Sequence, residues 1–130
     1  MVKIALATTD GKIVNQHFGK ADQFYILEVD EEKMTFQLVE IRQTGSVCQG
    51  GEHEDTRLLK VVSALNDCDY VLVSRIGMRA RNILEKSGIE AYEIPGVVEE
   101  SVDQLIRFSR VQKLLTIKNK NEGDLIKWQN

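Results

Sequence analysis

Between Gln43 and Glu54 the hydrophobic period of the chain changes, and that change limits the folds open to it. Before it lie three strand-like runs, "KIALAT" (3–8), "QFYILEVD" (23–30) and "TFQLVEIRQ" (35–43), the last two joined by the tight polar turn "DEEK". After it, helical and strand patterns alternate. Leu58, Val61, Val62 and Leu65 share one helical face within 54–67, with Asp55 or Thr56 as its cap. Ala80, Ile83 and Leu84 do the same within 78–88, and Val98, Val102, Leu105, Ile106 and Ser109 within 98–110. "YVLVSRI" (70–76) and "IEAYEI" (89–94) are strands between them.

A meander followed by αβαβα predicts an α/β fold, with one five-stranded mixed sheet and helices on both faces. Right-handed crossovers put the fourth strand beside the first and the fifth outside it. The expected order is 3-2-1-4-5, as in ribonuclease H-like three-layer folds with the succession β-β-β-α-β-α-β-α. Residues 1–110 form the predicted domain. Residues 111–130 read as an extension, with "KNKNEGD" as a flexible linker and Leu125, Ile126 and Trp128 in need of a partner.

In that topology three polar loops reach one edge of the sheet. The first carries Asp10, His17 and Gly19; the second Cys48, Gly50, Gly51 and His53; the third Ser74, Arg75, Gly77 and Arg79. Ligands of open α/β sheets bind at the carboxyl ends of strands, where connections diverge. A thiolate and imidazoles suit borderline metals and iron–sulfur species. Glycines allow close backbone approach. The start of the 78–88 helix, with Arg75 and Arg79, favours an anion. The edge therefore suits a negatively charged metal cluster, with His17, Cys48 and His53 as candidate ligands.

The other sequence features are permissive. A net charge of −3 gives no global attraction to nucleic acid or anionic lipid. No apolar run has membrane-spanning length, and "MVKIALATTD" is not a secretory signal, so the expected location is the cytoplasm. There the two cysteines, Cys48 and Cys68, are expected as free thiols. Cys68 is expected at the opposite edge, in a structural role.

"VNQHFGKADQFYILEVD", "CQGGEH" and "DCDYVLVSRIGMRARNILEKSGIEAYEI" together resemble the dinitrogenase iron–molybdenum cofactor-binding family over about Lys3 to Arg107. The H-F-G before a strand is the most specific piece. The resemblance implies a ribonuclease H-like domain that binds an iron–sulfur or iron–molybdenum type cluster transiently, in oxygen-labile form. It implies transfer between donor and acceptor proteins, with no reaction of the domain's own. His17 matches the family's histidine, and Cys48 the cysteine after the third strand. Two alternatives stand beside it. A metal-free regulatory or interaction module would make the hydrophobic tail the informative segment. A divalent-metal nuclease would need converging carboxylates, of which only Asp10 is suitably placed. The oligomeric state is left open.

Overall fold

The computed structural model describes residues 1–47 and 54–129. The elements are β1 (Val2–Leu6), β2 (Ile13–Val14), β3 (Gln23–Asp30), β4 (Thr35–Gln43), α1 (Glu54–Ala64), β5 (Tyr70–Val73), α2 (Met78–Lys86), β6 (Glu90–Glu93), β7 (Gly96–Val97) and α3 (Val98–Gln129). Five strands form a mixed sheet in the order β4-β3-β1-β5-β6. β1 pairs antiparallel with β3 and parallel with β5, and β5 pairs parallel with β6. β4 pairs antiparallel with β3, and a register shift at Ile26/Leu27 leaves Val39 as an extra residue.

Strand alternation sends the apolar residues to two faces. Ala5, Phe24, Ile26, Val71 and Val73 face α1 and α2, which supply Leu58, Val61, Val62 and Leu84, with Leu65 from the turn just past α1. Ile4, Leu6, Leu27, Val29 and Leu72 face α3, which supplies Val98, Val102, Leu105 and Ile106. β5 is buried at all four positions because helices cover both of its sides.

Three departures from the expectations have physical causes. β2 and β7 form a separate two-stranded sheet. Strands of two residues are too short for any periodicity to reveal. α3 is helical through Gln129, so "KNKNEGD" continues the helix instead of forming a linker. That stretch lacks proline, and one interior glycine costs a helix only about 1 kcal/mol relative to alanine. Asp55 and Thr56 lie inside the first turn of α1, so neither is its N-cap.

Charge ties β4 and β1 to the turn that follows α1. Arg42 on β4 donates to Asp67 Oδ1 at 2.7 Å and to the Ala64 carbonyl at 2.7 Å, while Lys3 Nζ lies 3.2 Å from Asp67 Oδ2. The Arg42 guanidinium, aided by Lys3, holds the Asp67 carboxyl well below the usual carboxylate range. A depressed carboxyl stabilises the fold above its unfolded pKa of about 3.9, and that stability is lost as pH falls through the folded value. The Asp67 side chain is 41% exposed, so solvent screening limits the effect. Asp67→Asn is expected to lose about 1 kcal/mol at neutral pH. In urea titrations the gap to wild type should narrow progressively below about pH 4. A gap independent of pH would assign the loss to packing. Beside this cluster the free thiol of Cys68 is buried, and burial pushes its pKa up to about 12. It is a structural, unreactive sulfur.

Candidate functional site

The carboxyl ends of β1, β4, β5 and β6 share one edge of the sheet with the start of β3. Past their last paired residues, β1 and β5 stay in contact through Ala7 N–H donating to Leu72 O at 2.9 Å. Beyond that point another segment enters between them. Gln16 N–H donates to Ala7 O at 3.2 Å, and Gln16 O accepts from Ser74 N–H at 3.0 Å. Phe18 N–H donates to Arg75 O at 2.9 Å, and His17 and Arg75 form a parallel bridge. Residues 16–18 are a wedge in the gap where the two central strands diverge.

Alternation along this extended segment fixes the side chains. Phe18 is buried, 1% exposed, with its ring centroid 5.8 Å from that of Phe24. Its neighbour His17 is thereby turned outward and is exposed. The His17 carbonyl then accepts from Lys20 N–H at 3.1 Å and Ala21 N–H at 3.0 Å, closing a turn in which Gly19 sits partly buried. This answers what the adjacent histidine, phenylalanine and glycine do. Phe18 anchors, His17 is presented, and Gly19 turns the chain into β3.

The loop before the wedge is held as tightly. Asp10 Oδ1 accepts from Lys12 N–H at 2.8 Å and Ile13 N–H at 3.2 Å. The bond from Lys12 leads those that draw the Asp10 carboxyl below its ordinary value. Asp10 is thus occupied by the turn, which weakens the nuclease alternative. β2 pairs with β7, and Val98 N–H at the start of α3 donates to Lys12 O at 2.9 Å.

The third loop carries Arg75, Gly77 and Arg79. Arg75 is exposed and makes no ion pair among the described residues. Gly77 is the N-cap of α2, extended at φ −74° and ψ 156°, with no side-chain cap and no acid in the first turn. The unpaired N–H groups of that turn therefore open toward the edge. Arg79 differs from its expected role. It pairs with Asp55 at the start of α1, a neighbour the sequence alone did not bring near it, so its charge is already compensated. Arg81 is likewise paired, with Glu93 at 3.1 Å. Cys48 and His53 lie outside the described residues. Among the described residues no three His, Cys, Asp or Glu side chains gather as a metal-binding group.

Sequence reading missed one participant. The backbone of Gln16 links Ala7 to Ser74, which its side chain does not advertise. The Ser74 hydroxyl is buried at this edge without a hydrogen-bond partner.

A family model described as dinitrogenase iron-molybdenum cofactor matches residues 1–107. The chain belongs to the dinitrogenase iron-molybdenum cofactor family. Relatives of this family member include the FeMo cofactor biosynthesis protein NifB of Chlorobaculum tepidum, 39% identical over 99 residues, covering 76% of this chain and 22% of that protein. NifB of Herbaspirillum seropedicae is 41% identical over 87 residues, covering 67% and 16%. The chain thus spans about a fifth of the length of the curated relatives it matches. Among solved structures, a Thermotoga protein described as a candidate NifB protein of the DUF35 family aligns with TM-score 0.53 and 25% identity, over 81% of this chain and 87% of that one. The apo orange protein of Desulfovibrio gigas shares the fold, with TM-score 0.59 and 20% identity over 82% and 88%. Among the described residues no helix is long and apolar enough to cross a membrane.

Proposed function

We propose that this family member is a binding and carrier domain for an iron–sulfur or iron–molybdenum type cluster in nitrogenase cofactor biosynthesis. It takes the cluster from one protein and yields it to another without transforming it. In this reading the sheet order supports a ribonuclease H-like classification, and the absence of a membrane-spanning helix among the described residues is compatible with a cytoplasmic setting. The cluster is cargo. The observation that carries the reading is the bridge between His17 and Arg75 at the diverging ends of β1 and β5. It fixes an exposed imidazole beside a guanidinium that has no ion pair among the described residues, next to a helix start with no side-chain cap.

The chemistry of these groups fits such a cargo. Imidazole is a ligand for iron, and the second nitrogen of an exposed ring is free to exchange with solvent. Arg75 and the first-turn N–H groups of α2 favour negative charge. One firm donor with electrostatic support suits a cargo that must leave again. Cys48 and His53 are the further donors proposed by the sequence.

Anaerobic incubation of the full chain with an iron–sulfur cluster donor tests this. Iron, sulfide and a visible charge-transfer band are expected to survive desalting. His17→Ala is expected to lower retained iron by about tenfold or more. Arg75→Gln should lower it less, with a steeper salt dependence. Retention unchanged in His17→Ala would remove His17 from the site.

A further inference from the structure

At the end of the sheet opposite the rim, α3 leaves the strands, and a cavity of about 720 Å³ opens between it and the first residues of β5 and β6. The size is that of a small-molecule site. Three aromatic rings form its wall. Tyr70 and Tyr92 have centroids 5.9 Å apart at 54°, and Tyr92 and Phe108 lie 5.5 Å apart at 73°, edge to face. Phe108 is 44% exposed, although it is a large apolar residue on a helix whose other face is packed.

Two polar features of the cavity stand out. Glu90 accepts the Tyr92 hydroxyl proton at 2.5 Å through Oε2, yet makes no ion pair among the described residues. The Ser109 residue is 97% buried, and its hydroxyl has no hydrogen-bond partner although it lines the cavity. Burial, together with Glu90, holds the Tyr92 hydroxyl above the usual phenol range, so it remains a donor to Glu90. The cation at the mouth, Lys113, reaches Glu31 at 3.4 Å and is engaged there.

We propose that this cavity binds a small organic ammonium ion, with its charge against the aromatic wall and Glu90 and a polar substituent on Ser109. Aromatic rings attract cations through their negative faces, at exposed sites as well as buried ones. A carboxylate beside them, with no ion pair among the described residues, selects charge over mere bulk. The site is separate from the rim and does not depend on the cofactor reading.

Choline titrated into the full chain, followed by calorimetry and by chemical shifts, tests the site. Saturable binding is expected, at least about tenfold tighter than that of the uncharged isostere 3,3-dimethylbutan-1-ol. Glu90→Gln keeps the acceptor for Tyr92 and is expected to weaken choline about tenfold, as is Phe108→Ala, while His17→Ala leaves it unchanged. Absence of saturable binding, equal binding of the isostere, or an unaltered Kd in Glu90→Gln would overturn the proposal.

Discussion

Phe18→Ala is expected to lower the unfolding free energy by about 3–5 kcal/mol. Phe18 is 1% exposed and belongs to the core cluster that includes Phe24, Val73 and Leu84, with Ile76 packed against it. Truncation would leave a ring-sized void between the wedge and the α1/α2 face, where closely packed neighbours relax only partly. Urea unfolding followed by circular dichroism measures the loss. A change below about 1 kcal/mol would show that the ring is not the anchor. The variant has a second expected effect. Cluster retention should fall although His17 is intact, because the wedge that presents it is no longer seated. Cluster retention equal to wild type in a folded Phe18→Ala protein would separate presentation from anchoring.

Gly11→Ala is expected to be the next most damaging change, at about 2–4 kcal/mol. Gly11 has φ +77°, in the left-handed region that side chains disfavour. A Cβ there would lie 2.4 Å from Tyr25 Cε2 and 2.9 Å from Cδ2. The Tyr25 ring is packed against the core cluster that includes Leu6 and Val14, so either that packing or the 9–12 turn must shift. That turn precedes β2 and provides the Lys12 carbonyl on which α3 begins. Thermal unfolding should fall by roughly 10 °C. Because the wedge itself is untouched, retained iron per folded chain should change far less than in Phe18→Ala. A Tm equal to wild type would mean that the turn accommodates a side chain.

What the sequence discloses here is what periodicity and composition can carry. The change of period after Gln43 is enough for a five-stranded mixed sheet and three helices. The helical faces at Leu58 to Leu65 and at Val98 to Ile106 correspond to buried residues. Periodicity cannot find β2 and β7, because pairs as short as Ile13–Val14 and Gly96–Val97 have none. Composition misjudged residues 118–124, where polar residues that suit a linker also tolerate a helix. At the site, the outward His17 and inward Phe18 follow from neighbouring positions on an extended segment, yet the pairing of that segment with Ala7 and Arg75 is purely main-chain and leaves no side-chain signal. The Arg79–Asp55 pair joins the starts of two helices and becomes visible only once both are placed.

The wedge at residues 16–18 also bears on speed. With the Gln16 amide and carbonyl and the Phe18 amide bonded to the flanking strands, His17 is held in place before any ligand arrives. The first step of capture, ligand exchange at His17, would then need no rearrangement of residues 16–18. In deuterated solvent the amides of Phe18 and Ser74 would be slow to lose their protons, while the imidazole beside them stays in rapid contact with water.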